Sequence, residues 1–228
     1  MSTASINDIF KEDNATLNIA DTAKLKATKN INVNAASELT AKLNNEVSSK
    51  NDADASGVNI AYARNYSTLN IDGTLKAGGN INIESAAGFD LESIVKVNFD
   101  KTNNTATSLA LNLTMGENQS KLDISKTADI NAGGTLDISS LAKTPVNMEA
   151  NFLREGSSLG AVAISTFKFN SSSLLNSEGN LTAKGDITFR QNIPRRLSKL
   201  TVKFLSAIPY RVWSRPKRKP KKLKRQVA

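Results

Sequence analysis

The sequence predicts an all-β protein whose short strands and tight corners form a coil wound around an axis. Three observations lead to this prediction: a block that recurs four times, apolar residues that alternate with polar ones, and a composition poor in bulky residues. Aromatic residues make up only 5% of the 228 residues, whereas 26 residues are asparagine. Small polar residues between short apolar stretches favour turns and short strands over long helices.

A nine-residue block recurs four times along the chain. It reads LKATKNINV at Leu25–Val33, LKAGGNINI at Leu75–Ile83, INAGGTLDI at Ile130–Ile138 and LTAKGDITF at Leu181–Phe189. Successive copies start 50, 55 and 51 residues apart. A fixed period of this kind indicates a repeat architecture.

A four-residue block precedes each copy and repeats at the same period. It reads TLNI at Thr16–Ile19, TLNI at Thr68–Ile71 and KLDI at Lys121–Ile124, with a weaker SLLN at Ser173–Asn176. The leucines of this block lie 52, 53 and 52 residues apart. Because the units of a stacked coil are usually shorter than this, we expect two or three coils in each period.

The glycines of the nine-residue block mark corners between strands. The residues on each side of the glycine pair alternate in polarity, as strand residues do. Glycine can turn the chain sharply because it has no Cβ and reaches positive φ without strain. We therefore predict five structural corner residues: Gly78, Gly79, Gly133, Gly134 and Gly185.

The residues between the blocks are also predicted to form strands. Val58, Ile60 and Tyr62 alternate with other residues, and Leu109, Leu111 and Leu113 do the same. This period of two is typical of β-structure. We find no convincing helix in residues 1–190.

Two missing residue types exclude most enzyme chemistry. The chain has no cysteine and no histidine. It therefore lacks a disulfide framework, a thiol nucleophile, a Ser-His-Asp triad and the usual zinc ligands. We predict that the protein is not an enzyme and has no cofactor, no metal site and no catalytic residue.

One polar loop and several carboxylates remain as candidates for a site. Asn51–Gly57 begins like a calcium loop, but its twelfth position, counted from Asp52, is Ala63 rather than an acidic residue. A glycosidase needs a pair of carboxylates. The carboxylates that qualify by type alone are Asp72, Asp90, Asp123, Asp129 and Asp137. We expect a polar loop and solvated carboxylates.

The charge divides the chain into two parts. Of the 30 basic residues 14 lie from Ile187 onward, where no acidic residue occurs, so 16 basic and 21 acidic residues remain before it. Four of the five prolines and the only tryptophan lie beyond Arg190. We therefore divide the chain into a repetitive segment, residues 1–190, and a basic proline-containing tail, residues 191–228, which we expect to be disordered or out of frame.

Three interpretations of the tail stay open. It could be a disordered arm that binds nucleic acid or anionic lipid nonspecifically by charge. It could be an amphipathic membrane-surface segment anchored by Phe204, Leu205, Ile208 and Trp213. It could also be the product of a broken reading frame, and the abrupt change in the middle of a repeat copy favours this third interpretation.

The first residues, MSTASINDIF, have neither the basic nor the apolar region of a signal peptide. No stretch approaches the ~18 apolar residues of a membrane helix. If the protein belongs outside the cell, we expect this chain to be a fragment of a longer one.

The blocks LKAGGNINI and INAGGTLDI resemble the repeat of filamentous-haemagglutinin-type exoproteins, the adhesins, haemolysins and leukotoxins of two-partner secretion. The resemblance covers about residues 15–190. It implies a right-handed parallel β-helix, export through an outer-membrane partner, and a location in the medium or at the cell surface for the full-length protein. Members of this family are typically very long and carry a signal peptide and a secretion domain. We recognise neither in these 228 residues and therefore expect a fragment.

Three functions follow from this resemblance and from the composition. The first is adhesion to a host cell surface or the extracellular matrix, with a stiff rod presenting polar faces and loops such as Lys101–Ser108. The second is a leukotoxin or haemolysin segment acting on host membranes. The third is a carbohydrate-active β-helix, which would need paired carboxylates and sugar-stacking aromatics.

Overall fold

The computed structural model describes residues 3–50, 54–100, 107–154, 160–192 and 199–205, and these residues form fourteen β-strands and no helix. Each sequence period contains one long strand, one strand of four residues, and then a further long strand or two shorter ones. The first two periods hold β1 (Thr3–Ile19), β2 (Lys24–Ala27), β3 (Ile31–Lys50), β4 (Ala55–Ile71), β5 (Thr74–Ala77) and β6 (Ile81–Asp100).

The third and fourth periods follow the same order, with the last strand divided in two. The third holds β7 (Thr107–Ile124), β8 (Asp129–Ala132), β9 (Leu136–Lys143) and β10 (Val146–Arg154). The fourth holds β11 (Gly160–Ser177), β12 (Asn180–Ala183), β13 (Ile187–Asn192) and β14 (Lys199–Leu205). Pro145 separates β9 from β10, because proline has no backbone N–H for the ladder.

The strands form three parallel sheets, and each sheet takes one kind of strand from every period. The first sheet has the order β1-β4-β7-β11, and the second has the order β2-β5-β8-β12. In the third sheet, β6 pairs with β3 along one edge and with both β9 and β10 along the other. Strand β13 then pairs with β9, and β14 pairs with β10. The prediction of an all-β protein is confirmed for the described residues.

Every strand of the first three periods pairs with the strand one full period further along the chain. Ile31 pairs with Ile81, and Ile81 pairs with Leu136. Our expectation of two or three coils per period is therefore wrong. The reason is strand length. The residues between the blocks form single strands of 17–20 residues, namely β1, β3, β4, β6, β7 and β11. One long strand therefore occupies the residues that the prediction divides among further coils.

The repeated blocks supply an apolar core where the three sheets meet. Both blocks place their aliphatic residues on the inner faces, where they are fully buried in the second and third periods. This three-sheet core contains Ile19, Ile31, Val33, Ala35, Leu69, Ile71, Leu75, Ala77, Ile81, Ile83, Leu122, Ile124, Ala128, Ile130, Ala132, Leu136 and Ile138. Full burial of a valine, leucine or isoleucine side chain contributes about 1.5–3 kcal/mol to the free energy of folding.

A ladder of serine hydroxyls links the first and third sheets beside this core. Ser67, Ser120 and Ser173 are register partners on the first sheet, and Ser85 and Ser140 are partners on the third. Their Oγ atoms alternate across the gap at distances of 2.9, 3.0, 2.9 and 3.0 Å. Removing one buried hydroxyl would leave its partners unsatisfied, at a cost of about 1–3 kcal/mol.

Buried asparagines continue the polar links between the two long sheets. Asn65 Nδ2 donates to Asn118 Oδ1 at 3.0 Å and to the carbonyl oxygen of Gly88 at 2.6 Å. Asn118 Nδ2 donates in turn to the carbonyl oxygens of Ala87 and Lys143, at 3.1 and 2.9 Å. One register pair on the first sheet thus bonds to the backbone of two neighbouring strands of the third.

A second asparagine pair, Asn59 and Asn112, lies nearer the first residues of β4 and β7. Asn59 Nδ2 donates to Ser93 Oγ at 3.1 Å, and Ser93 Oγ donates to Asn112 Oδ1 at 2.7 Å. Asn112 Nδ2 reaches the carbonyl oxygen of Glu149 at 2.8 Å. Two smaller apolar clusters, around Phe89 and around Val95, lie on either side of this pair. The interior therefore alternates between apolar and hydrogen-bonded polar strips.

The five predicted corner glycines lie in the bends between the four-residue strand and the strand that follows it. Gly78 and Gly79 join β5 to β6, Gly133 and Gly134 join β8 to β9, and Gly185 lies before β13. None of the five has the positive φ that motivated their assignment. The reason for glycine is the close approach of the neighbouring period, because a Cβ on Gly133 would lie 2.2 Å from the carbonyl oxygen of Gly78.

Replacing Gly133 by alanine is expected to destabilise the protein by about 1–3 kcal/mol, the usual cost of overpacking. The added methyl group meets backbone atoms, which cannot move aside as a flexible side chain would. Urea unfolding followed by circular dichroism measures the difference. The matched control is Gly88→Ala, whose Cβ would make only ordinary contacts of 3.5 Å or more. Equal stability of the two variants would contradict the close-approach explanation.

Candidate binding surfaces

The outer face of the first sheet carries an apolar patch that no other described element covers. The strands alternate strictly, so the residues between the buried ones point outward. Six of its residues are conspicuously exposed, with Ile6 and Phe10 at 68%. This outer apolar patch consists of Ile6, Phe10, Val58, Ile60, Tyr62, Leu109, Leu111, Leu113, Met115, Val162 and Ile164.

Sequence reasoning did not find this patch. The alternation of Val58, Ile60 and Tyr62 predicted a strand, but alternation alone does not say which set of residues faces inward. In β4 the buried set includes Asn59 and Asn65, and the apolar set lies outside. The signal that could have found it is the register of the TLNI block, because Leu69 and Ile71 belong to the core and fix the parity of the whole strand.

Two aromatic members of the patch and a neighbouring arginine lie at its end towards the second sheet. The rings of Phe10 and Tyr62 stack with centroids 5.2 Å apart. The Arg64 guanidinium lies 5.0 Å from the centre of the Tyr62 ring, a cation–π distance. Arg64 Nε is shielded from solvent and has no hydrogen-bond partner among the described residues.

A tyrosine and a carboxylate on neighbouring strands form a short hydrogen bond beside Arg64. The Tyr66 hydroxyl donates to Glu117 Oε2 at 2.5 Å. This bond, together with burial and the negative charge of Glu117, raises the pKa of Tyr66 to about 12. The neutral phenol is therefore the form that the folded protein stabilises.

The outer face of the third sheet is polar, in contrast to that of the first. Among the side chains that the structure describes, its outward acidic residues outnumber its outward basic ones. They are Glu38, Glu46, Glu84, Asp90, Glu92, Asp137 and Glu149, against Lys42, Lys96, Lys143 and Arg190. One exposed ion pair, Lys42–Glu92 at 3.6 Å, joins adjacent strands. This polar outer face is solvated and carries net negative charge.

The structure does not bring the five candidate carboxylates together. Asp90 and Asp137 lie outward on the third sheet, Asp123 outward on the first and Asp129 on the second, while Asp72 follows β4. Three of them form surface ion pairs at 3.0–3.6 Å: Asp129 with Lys76, Asp123 with Lys121, and Asp137 with Arg190. Among the described residues no cluster of three metal-ligating side chains occurs.

The loops that we singled out are only partly described. Residues 51–53 and 101–106 lie outside the described residues, and so do Ile208, Trp213 and the rest of 206–228. Asp54 accepts hydrogen bonds from the backbone N–H and the hydroxyl of Thr107, at 2.7 and 2.8 Å. These bonds lower the pKa of Asp54 and tie the start of one period to the start of the next.

The segment assigned to the tail contains one described strand. Residues 199–205 form β14, which pairs in parallel with β10. Phe204 and Leu205, proposed as membrane anchors, lie in this strand. Within the described ranges no helix is long and apolar enough to span a membrane.

Comparison with protein-family models, with curated proteins and with solved structures gives no match for the chain. The geometry defines a class of protein by its architecture alone: an all-β protein of in-register parallel repeats. The first sheet carries the outer apolar patch, and the third sheet carries the polar outer face.

Ionisation of Tyr66 is expected at about pH 12, above the usual value of about 10. Because the folded pKa lies above the unfolded one, the stabilisation from this bond is complete below pH 10 and is lost as the pH rises towards 12. An ultraviolet titration of tyrosinate measures it, with Tyr66→Phe to assign the signal. In Glu117→Gln the pKa should return towards 10, and an unchanged titration would contradict the assigned cause.

Proposed function

We propose that the chain is a segment of a right-handed parallel β-helix from a large secreted or surface-exposed bacterial exoprotein. The observation that supports this proposal is the in-register pairing of each strand with the strand one period later, in all three sheets. A chain that passes through three sheets in turn and returns to pair with itself in parallel winds as a solenoid. Crossovers between parallel strands of one sheet are right-handed in nearly all proteins.

The role that we propose is adhesion to a host cell surface or to the extracellular matrix, without catalysis. Parallel stacking makes a stiff support, because the inner strands of each sheet are hydrogen-bonded on both sides. The polar outer face of the third sheet offers a broad, solvated surface with an excess of carboxylates. Such a surface attracts partners with basic patches and accelerates their encounter.

For the full-length protein we propose export through an outer-membrane secretion partner and a location in the medium or at the cell surface. The repeated blocks that resemble filamentous-haemagglutinin-type exoproteins support this proposal. The buried asparagine and serine ladders are compatible with it, because they stabilise the fold without cysteine and so do not depend on the redox state of the compartment. Nonspecific anion binding by the basic tail is a further, separate proposal.

A second candidate function is that of a toxin segment acting on host membranes. The outer apolar patch favours it, since exposed apolar surface of this extent is typical of membrane or protein contacts. This candidate predicts that the full chain releases dye from lipid vesicles. Adhesion predicts binding to cells without such release.

Beads coated with the full chain should bind host cells or matrix, and the double variant Glu38→Lys/Asp90→Lys should reduce binding about tenfold, the factor that ~1.4 kcal/mol gives. Both side chains are exposed on the polar outer face, so the fold is retained. Flow cytometry or microscopy measures the bound cells. The matched control is Asp21→Lys/Glu178→Lys, two exposed residues outside that face with the same change of charge.

Equal loss in both variants would show a general charge effect rather than recognition by the polar outer face. No binding by the unaltered chain to any host cell or matrix tested would contradict the adhesive role. Circular dichroism of each variant shows whether the strands are retained.

A further inference from the structure

We propose that two copies of this chain pair face to face through the outer apolar patch, about a two-fold axis that runs parallel to the strands between β4 and β7. The proposal is independent of the adhesive role, which concerns the opposite, polar outer face. The patch forms part of six outward rows, each made of four residues that are register partners across β1, β4, β7 and β11. The first row is Ala4, Ser56, Leu109 and Val162, and the sixth is Asn14, Tyr66, Gln119 and Ser172.

The size of this surface suits a stable dimer. Strands lie about 4.8 Å apart and outward residues about 6.6 Å apart along a strand. Four strands and six rows then offer about 750 Å² of flat surface on each copy. A standard specific interface uses about 800 Å² per partner.

The two-fold axis along the strands makes each row face the same row of the other copy, with β4 opposite β7 and β1 opposite β11. In the second row, Ile6 then faces Ile164 of the other copy, and Val58 faces Leu111. In the next two rows, Ile60 faces Leu113 and Tyr62 faces Met115. All of these contacts are apolar, and face-to-face sheets pack in this way with a small angle between their strands.

Three of the five charged residues in these rows, Arg64, Glu117 and Lys168, have a favourable partner under the same axis. The other two, Asp8 and Glu12 on the edge strand β1, face the polar residues Thr166 and Asn170 rather than apolar ones. Arg64 and Glu117 are register partners, so each faces the opposite charge on the other copy. The two contacts are equivalent by symmetry. Each would bring a second carboxylate, in addition to Glu117 of the same chain, near Arg64 Nε, which has no hydrogen-bond partner among the described residues. Lys168 faces the exposed ring of Phe10, a cation–π arrangement.

The other two-fold axis in the plane of the sheet does not give this match. An axis perpendicular to the strands through the middle of the apolar rows makes the second row face the third and the first face the fourth. Asp8 would then lie against Ile6 of the other copy, and Lys168 against Val162. Burying charges against apolar side chains is unfavourable unless they are paired.

Cysteine cross-linking of the full chain tests both the dimer and its axis, because the chain contains no cysteine of its own. Ile6→Cys and Ile164→Cys alter exposed side chains, so neither should disturb the fold. A bismaleimide of about 10 Å, the spacing of packed sheets, should link the two variants when they are mixed. Each variant alone should give little cross-linked product, since identical residues lie far apart across this axis. Lys42→Cys mixed with Asn147→Cys, on the polar outer face, is the matched control.

Light scattering during gel filtration gives the mass, and charge reversal tests the polar contact. Glu117→Arg should weaken the dimer about tenfold, and Arg64→Glu/Glu117→Arg should restore it, because the reversed pair still faces its opposite charge.

A monomeric mass at every concentration would overturn the proposal, and so would cross-linking within a single variant or in the control mixture. A monomer that binds lipid vesicles through the patch would also overturn it, with lipid as the occupant.

Discussion

The in-register stacking of one sequence period on the next is the constraint on which the rest of the structure depends. Each residue meets the equivalent residue of the neighbouring period, as Leu17, Leu69 and Leu122 do. Side chains therefore occur as columns, and a column is favourable only if like residues are compatible at a spacing of about 4.8 Å. Leucine, isoleucine and alanine columns meet this condition through packing, and serine and asparagine columns meet it through hydrogen bonds. Together they account for most of the interior.

The same constraint explains why polar residues are buried while apolar ones are exposed on the first sheet. Isolated asparagine is costly in an interior, but a column of asparagines can bond to itself and to the carbonyl oxygens of the opposite sheet. Asn65 and Asn118 do both. With the inner positions filled in this way, the alternate positions, Leu111 and Leu113 among them, necessarily point outward.

The repeated blocks determined which parts of the fold could be predicted from the sequence. They gave the strand class, the period and the corner positions, because Leu75, Ile81 and Ile83 combine a periodic pattern with burial. They could not give the number of coils per period, which depends on strands of up to 20 residues that the local pattern does not delimit. The outer apolar patch was missed because a strand's polarity pattern fits either face. The buried Leu69 and Ile71 fix which face is inward, and the hydrogen bonds of Asn59 and Asn112 stabilise that choice.

The pairing of strands one period apart is tested most directly by electron paramagnetic resonance with spin labels at Lys42 and Glu92, on the polar outer face. These residues are register partners on β3 and β6. Adjacent parallel strands lie about 4.8 Å apart, so the spectrum of the doubly labelled chain should show strong dipolar broadening that either single label lacks. A spectrum equal to the sum of the two single-label spectra would contradict the stacking of one whole period on the next.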